Sequence, residues 1–211
     1  MNNSRVVDVG CDHGLLSIYI YLNKKNVSVI ASDINEKPLK EAKKNISEYK
    51  LAQKIETRIS DGLKNINSDE FDTIVISGLG GNTIVQILCD DKEKLKNAKY
   101  IIIQANNNID KVRSFLANNG YVIKDEKIIK ENDIISIVIK FEKINKKVNY
   151  NKRELLYGPV LIEKMDKLFI ELLNNDLVKY KNILNNIPSK YIFKRCRINK
   201  NIKIINKILE K

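Results

Sequence analysis

Short β-branched runs alternate with amphipathic segments through residues 1–144 of the chain. The strand-like runs are Arg5–Val9, Val27–Ser32, Ile55–Ile59, Thr73–Ser77 and Lys99–Gln104. The helix-like stretches that lie between most of them are Leu15–Asn23, Pro38–Tyr49, Thr83–Cys89 and Ile109–Asn118. Strands joined through a helix run parallel, because the helix carries the chain back to the end of the sheet where the first strand began. The alternation therefore predicts a doubly wound α/β fold with a mostly parallel sheet.

Two more β-rich runs, Tyr121–Ile129 and Ile134–Glu142, are separated only by the four polar residues 130–133. A connection this short cannot contain a crossover helix, so the two runs predict a β-hairpin. The sheet should therefore end in an antiparallel edge.

The pattern becomes helical after residue 146. One apolar series consists of Leu161, Met165, Leu168 and Leu172, and a second, displaced by one residue, of Leu173, Leu177, Tyr180, Leu184 and Ile187. Pro188 then ends the helix, since it lacks a backbone N–H, and a second helical stretch runs from about 192 to 209. We predict an α/β domain over residues 1–146 and an all-helical domain over residues 147–211, built from two antiparallel helices that pack along the apolar stripe.

The positive charge is concentrated in this helical part. Residues 1–144 hold 22 basic and 20 acidic residues, whereas residues 145–211 hold 16 and 6. A basic appendage on a nearly neutral domain is typical of a module that binds a polyanion, because contacts to phosphates release counterions. A solvated lysine-rich surface is the alternative. The candidate RNA-binding residues are Arg153, Lys190, Lys194, Arg195, Arg197 and Lys200.

Composition excludes several classes of protein. The three cysteines, Cys11, Cys89 and Cys196, are far apart and form no CxxC pair, so neither a disulfide framework nor a structural zinc site is expected. No apolar run approaches the roughly 20 residues of a membrane span, and no signal peptide is visible. We expect a cytoplasmic, monomeric protein without a metal ion or a membrane partner.

The strongest local signal is the segment from Val6 to Leu16, in which a buried strand is followed by a glycine turn and a helix start. Asp33, 19 residues after Gly14, closes the next strand, where a carboxylate can accept both hydroxyl protons of a ribose. Asp12 stands where a dinucleotide-binding turn has a glycine that approaches a pyrophosphate. Its negative charge disfavours NAD and suits S-adenosylmethionine, which carries a sulfonium and an ammonium group but no phosphate.

Other strand exits carry polar groups and glycines. Three glycines in Ser77–Asn82 would let a flat substrate approach the backbone, and their position opposite the cofactor site favours this function over a tight turn without a ligand. Asp61–Gly62 could bind the adenine of a cofactor, and an ordinary turn is the alternative. Gln104 and Asn106 could bind a base edge, although Asn106 could instead cap a helix. His13 is the single histidine, so a metal site or a general base is poorly supported.

These segments resemble the bacterial tRNA (adenine22-N1)-methyltransferases, also called TrmK. The shared motifs appear in the family's order over about three quarters of the chain: Asp8–His13, Ala31–Asn35, Asp61–Leu63, Gly78–Gly81, Gln104–Asn106, Gly120–Tyr121 and Tyr157–Pro159. The resemblance implies a Rossmann-like class I methyltransferase sheet with an antiparallel C-terminal hairpin strand, and a helical domain that grips tRNA. The activity it implies is methyl transfer from S-adenosylmethionine to N1 of adenine 22.

The resemblance also implies roles for individual residues. Asp8, Gly10, Asp12 and His13 would line the methionine end of the cofactor site, and Asp33 would bind the ribose and Asp61 the adenine. Ile34, Gly62 and Gly78 would complete the cofactor site. The target base would face Gly78, Gly80, Gly81, Asn82, Gln104 and Asn106.

The chain departs from the family at a few positions. Gly14–Ser17 replaces Ala-Tyr-Leu-Pro, Ala105 replaces a proline, and the tyrosine expected near Ile135–Ile137 is absent. A helix that usually precedes the first strand has no room before Arg5, which indicates a truncated or reduced start. Three other functions remain open on these residues: a small-molecule methyltransferase, a non-catalytic RNA-binding protein and, third, an NAD-linked reductase.

Overall fold

The computed structural model describes residues 3–210, whose strands form one seven-stranded sheet. The strands are β1 (Arg5–Val9), β2 (Ser28–Asp33), β3 (Ile55–Ile59), β4 (Thr73–Leu79), β5 (Tyr100–Ala105), β6 (Tyr121–Glu131) and β7 (Ile134–Lys143). Their order across the sheet is β3-β2-β1-β4-β5-β7-β6. Strand β7 is antiparallel to both of its neighbours, and the other pairs are parallel. The prediction of a parallel sheet with an antiparallel hairpin strand is confirmed.

Helices cover both faces of the sheet. They are α1 (Leu15–Asn23), α2 (Glu36–Glu48), α3 (Gly81–Asp90) and α4 (Ile109–Asn118), with a short 3-10 helix at Lys92–Lys96. Alternate residues of one strand point to opposite faces. Val6 therefore packs with α1 and α2 in one apolar cluster, whereas Val7 packs with α3 and α4 in another. This burial on both faces explains why the parallel strands are nearly continuous β-branched runs.

Four helices follow the sheet: α5 (Lys152–Tyr157), α6 (Pro159–Lys164), α7 (Lys167–Asn186) and α8 (Ile192–Leu209). The first part of α7 and the last part of α8 share a cluster that includes Phe169, Leu173, Ile205 and Ile208, so these two helices are antiparallel as predicted. Ile128 of β6 packs against the same cluster. Division of the chain into two domains at residue 146 stays a prediction.

The apolar series from Leu161 onward does not form one helix, and that part of the prediction is wrong. Met165 adopts a left-handed backbone with φ of 47°, which ends α6. The Asp166 side chain then accepts a hydrogen bond from the backbone N–H of Phe169 (2.9 Å) and begins α7. A side-chain cap of this kind stabilises a new helix start at the expense of a continuous helix. Helical spacing of apolar residues persists across the break because α6 and α7 face the same cluster.

A buried ion pair connects the sheet to the C-terminal helices. Arg113 of α4 and Glu126 of β6 are both fully buried, with 2.8 Å between Nη2 and Oε1. Arg113 Nη1 also donates to the carbonyl oxygen of Leu155 in α5 (2.8 Å). Burial lowers the pKa of Arg113, while the carboxylate of Glu126 opposes that shift. The pair therefore holds α5 against the sheet through buried, charged hydrogen bonds.

Gly158 lets the chain pass close to this ion pair. A Cβ atom at this position would overlap Glu126 Oε2, and φ is +84°. The same oxygen accepts a hydrogen bond from the N–H of Val160 (3.0 Å), at the start of α6. Glu126 therefore caps α6 as well as pairing with Arg113, which accounts for the glycine in the motif Tyr157–Pro159. None of the helices within residues 3–210 combines the length and the apolar character that a membrane span requires.

Candidate active site

A cleft of about 540 Å³ opens where β1, β2, β3 and β4 end. This is the edge at which ligands bind to open α/β sheets, beside the point where the strand order reverses between β1 and β4. One side of α3 forms a further wall through Thr83, Gln86 and Ile87. Seven of the predicted site residues line the cleft: Gly10, Asp12, Asp33, Ile34, Asp61, Gly62 and Gly78.

The turn after β1 is held against the end of β2. The backbone N–H groups of Gly10 and Cys11 both donate to the carbonyl oxygen of Ser32 (2.9 Å each). Gly10, Asp12 and Gly14 all have positive φ, so the turn is tightly wound before α1 starts. The polar side chain of aspartate makes Asp12 more tolerant of this conformation than most residues.

Asp33 is the best-held carboxylate of the cleft. It is 8% exposed, and its Oδ1 accepts the N–H of Asn35 (2.9 Å). Its Oδ2 accepts the N–H of Asp12 at 3.3 Å. An ionised carboxylate has about four acceptor positions, so the remaining ones can receive two hydroxyl groups of a ribose. The structure brings Asp33 to the cleft as the sequence predicts.

Asp8 is buried beneath the turn. It is 2% exposed, and among the described residues it is not one of those that line the cleft. The hydroxyl of Ser17 donates to its Oδ2 over 2.6 Å. Burial raises the pKa of Asp8 to about 6, and the hydrogen bond from Ser17 opposes the shift. Its predicted contact with the methionine end stays a prediction, and its observed contact is with α1.

Asp12 and His13 lie at the rim of the turn. The Asp12 side chain is 68% exposed and the His13 side chain 58%, with 3.6 Å between Asp12 Oδ2 and His13 Nε2. Asp12 lines the cleft, as predicted. The carbonyl oxygen of His13 accepts a hydrogen bond from Asn45 of α2 (2.9 Å), which ties the turn to that helix.

The cleft also has apolar walls. Ile34, Leu79 and Ile87 contribute side chains that suit the faces of an adenine ring. The Asp61 carboxylate lines the same cleft and forms an ion pair with Lys64. The hydroxyl of Ser60 donates to the carbonyl oxygen of Gly62 (2.9 Å) and shapes the turn that follows β3.

Gln104 and Asn106 join the exits of β4 and β5. Gln104 Oε1 accepts hydrogen bonds from the N–H of Gly78 (2.6 Å) and the hydroxyl of Ser77 (3.2 Å). Its Nε2 donates to Asn106 Oδ1 (3.1 Å), and Asn106 Nδ2 donates to the carbonyl oxygen of Gly78 (2.6 Å). Each amide nitrogen has a second N–H that these bonds do not use. Sequence reasoning missed Ser77, although a serine at a strand exit is a visible signal.

The glycines after β4 make room for the loop after β5. The N–H of Gly81 donates to the carbonyl oxygen of Asn107 (3.0 Å). A Cβ atom on Gly81 would lie 2.5 Å from the carbonyl oxygen of Asn108, so packing alone requires this glycine. Asn82 Oδ1 accepts a hydrogen bond from Lys111 of α4 (2.8 Å). Gly80, Gly81, Asn82, Gln104 and Asn106 thus surround the end of β4, and their contact with a target base stays a prediction.

The predicted RNA-binding residues have different environments. Lys190, Lys194, Arg197 and Lys200 are exposed, while Arg153 is half-buried at the start of α5. Arg195 Nη1 donates to the carbonyl oxygens of Leu184 (2.8 Å) and Ile187 (2.6 Å). Arg195 therefore caps the end of α7, a structural role that sequence reasoning missed. Across residues 3–210, no group of three or more potential ligands could hold a metal ion.

The order of the strands and the position of the cleft define a Rossmann-like methyltransferase. The chain belongs to the tRNA (adenine(22)-N(1))-methyltransferase family, TrmK, whose sequence profile matches residues 6–207. A Bacillus subtilis tRNA (adenine(22)-N(1))-methyltransferase is 30% identical over 190 residues, which are 88% of this chain and 80% of that protein.

Solved structures of relatives have the same fold as this chain. The M. capricolum TrmK, solved with S-adenosylhomocysteine, is 31% identical with a TM-score of 0.86, over 100% of this chain and 93% of that one. A putative tRNA (m1A22) methyltransferase of Streptococcus pneumoniae, solved with S-adenosylmethionine, is 27% identical with a TM-score of 0.89, over 99% and 93% of the two chains.

Proposed function

We propose that the chain methylates N1 of adenine 22 in tRNA and takes the methyl group from S-adenosylmethionine. The observation that supports this most directly is the Asp33 carboxylate, which two backbone N–H groups hold in the wall of a nucleoside-sized cleft. Membership of the TrmK family supports tRNA as the substrate and N1 of adenine 22 as the methylated position. A non-catalytic RNA-binding protein would need neither the cleft nor this carboxylate.

The residues of the cleft fit the cofactor. Asp12, Asp33 and Asp61 give the cleft an acidic lining, which favours a cationic ligand and opposes a pyrophosphate. The cofactor brings a methyl group that its sulfonium already activates for transfer. We assign Asp33 to the ribose hydroxyls, and the apolar walls at Ile34 and Ile87 to the adenine ring.

Residues at the ends of β4 and β5 would orient the target adenine. N1 of an unpaired adenine has a free lone pair, so no residue has to remove a proton before transfer. The free N–H groups of Gln104 and Asn106 can donate to another acceptor on the base and leave N1 uncovered. The exposed His13 is not needed as a base. Alignment in a water-poor site is then the main contribution of the protein.

Binding of the RNA falls to the basic C-terminal helices. Extrusion of an adenine from the RNA stack costs a few kcal/mol, and contacts between lysine or arginine residues and phosphates can offset that cost. Exposed cations at Lys190, Lys194, Arg197 and Lys200 suit this role. We further propose that the enzyme is a cytoplasmic monomer that works without a metal ion. The free state of all three cysteines fits a reducing compartment.

Methyl transfer to a tRNA transcript tests the proposal. Incubation with labelled S-adenosylmethionine should give 1-methyladenosine in the nuclease digest, and a transcript with guanosine at position 22 should give none. Asp33→Asn serves as the matched variant: it keeps the volume of the side chain but replaces one acceptor oxygen with a donor. It should lose cofactor affinity and retain tRNA binding.

Two outcomes would contradict the proposal. Tight tRNA binding without any affinity for S-adenosylmethionine would identify a non-catalytic RNA-binding protein. Methylation of a small metabolite in the absence of RNA would identify a small-molecule methyltransferase.

A further inference from the structure

The last residue before α8 and the first two residues of α8 expose three successive apolar side chains. Tyr191 is 52% exposed, Ile192 71% and Phe193 93%. Among the large apolar residues described as exposed, Phe193 has the highest value. We call these three residues the aromatic tip. An aromatic ring this exposed forgoes the free energy of burial, and a contiguous exposed apolar patch commonly marks a binding surface.

Cations surround the aromatic tip. Lys190 and Lys194 flank it in sequence, and the Lys190 ammonium lies 5.4 Å from the centre of the Tyr191 ring. Arg197 and Lys200 follow Phe193 by four and seven residues, so they share its side of α8. Helix α8 contains no acidic residue. Within the described part of the chain, none of these four cations forms an ion pair with a carboxylate.

Hydrogen bonds hold the backbone of the aromatic tip in place. Arg195 donates to the carbonyl oxygens of Leu184 and Ile187, so the first turn of α8 is bonded to the end of α7. The backbone N–H of Tyr191 donates to the carbonyl oxygen of Pro188 (3.1 Å), which closes the connecting turn. A backbone that is already ordered loses little conformational entropy when a ligand binds.

An exposed aromatic ring among unpaired cations matches the chemistry of unpaired nucleotides. Proteins that bind single-stranded nucleic acid stack bases on aromatic side chains and contact the phosphates with lysine and arginine. A second copy of this chain would bring the same positive charges together. A membrane surface would require the apolar face to continue along α8, and Arg197 and Lys200 stand there instead.

We propose that the aromatic tip binds an unpaired nucleotide in a loop of tRNA. Phe193 provides the ring on which the base stacks, and Lys194, Arg197 and Lys200 contact the neighbouring phosphates. This inference rests on the proposed function in one respect, that tRNA is the substrate. It adds a site for a second nucleotide, separate from the target adenine.

The test measures tRNA binding by the full chain, without cofactor and at several salt concentrations. Phe193→Ala should weaken binding about tenfold or more, as expected for the loss of one stacked base. It should leave the dependence on salt unchanged, because it removes no charge. Phe193→Trp should retain the affinity. Arg197→Gln with Lys200→Gln should weaken binding and lower the slope of log K against log salt by about one for each residue.

Ile134→Ala is the matched control, since Ile134 is also strongly exposed (68%) but lies in the β6–β7 hairpin. The control should bind tRNA as the unmodified chain does. Equal affinities for Phe193→Ala and the control would overturn the inference. So would a dimer in sedimentation that only Phe193→Ala dissociates, because the tip would then join two copies.

Methyl transfer by the unmodified chain separates the two proposals. If the unmodified chain methylates tRNA and Phe193→Ala binds tRNA normally, the proposed binding site at the aromatic tip is wrong and the proposed function stands. If the chain binds tRNA through Phe193 but never methylates it, the proposed binding site at the aromatic tip stands and the proposed function is wrong.

Discussion

The cofactor cleft and the helix α8 carry opposite charge on one chain. Acidic side chains at Asp12, Asp33 and Asp61 line the cleft, whereas α8 contains basic residues and no acidic ones. The first arrangement favours a small cation and the second a polyanion. The two regions also differ in how polar groups are used. In the cleft, backbone N–H groups orient the Asp33 carboxylate. On α8, most of the basic side chains are exposed to solvent.

The ion pair between Arg113 of α4 and Glu126 of β6 connects the sheet to α5 and α6, and its loss should have the largest effect. Arg113→Ala leaves the Glu126 carboxylate buried without its partner, so we expect the free energy of unfolding to fall by about 3–5 kcal/mol. Urea denaturation followed by circular dichroism measures the change. The double variant Arg113→Met with Glu126→Leu removes both charges and should recover much of the stability. No recovery would show that the hydrogen bonds to α5 and α6 matter more than the charges.

Asp8 should make stability depend on pH. Its pKa is about 6 in the folded chain, above the usual 3.8, so folding favours the protonated form. The stability from this group is complete below pH 4 and is lost as the pH rises from 4 to 6, by about 3 kcal/mol at most. Thermal unfolding across this range, with Asp8→Asn as the comparison, isolates the contribution. A variant with the same pH profile as the unmodified chain would contradict the burial of this group.

Asp33→Ala should weaken binding of the cofactor to the cleft without affecting binding of tRNA to α8. Removal of two hydrogen bonds to a charged acceptor should weaken S-adenosylmethionine binding about 100-fold, which calorimetry can measure. Binding of tRNA should stay within twofold, since the carboxylate lies in the cleft and not on α8. An unchanged cofactor affinity would remove the assigned role in ribose binding.

Substitution of Arg195 or Arg197 should have the smallest effects, and the two variants should differ in which property changes. Arg195→Ala removes the cap of α7 and should lower the free energy of unfolding by about 1 kcal/mol. Arg197→Ala should leave stability unchanged and reduce the salt dependence of tRNA binding. Denaturation and filter binding of both variants check the contrast. If both variants lose stability equally, the cap does not explain the position of Arg195.

Regular elements were predictable where one physical pattern acts alone. Strand β1 and helix α1 begin and end where the sequence predicts, because a β-branched run precedes a glycine turn and an apolar helix. The position of Asp33 followed from the same logic, since the residue that closes a parallel strand lies at the ligand-binding edge. The break at Met165 was not predictable from periodicity, because both flanking helices face one apolar cluster.

The sequence by itself determined the parallel sheet, the acidic cleft at its edge and the basic character of the last helices, because these depend on residue type and spacing along the chain. Only the tertiary structure decided that Asp8 lies beneath the turn beside Ser17, that Gln104 bonds to the exit of β4, and that Arg195 caps α7. Each of these contacts joins groups on different elements. Their partners depend on how strands and helices pack, and local pattern contains no record of that packing.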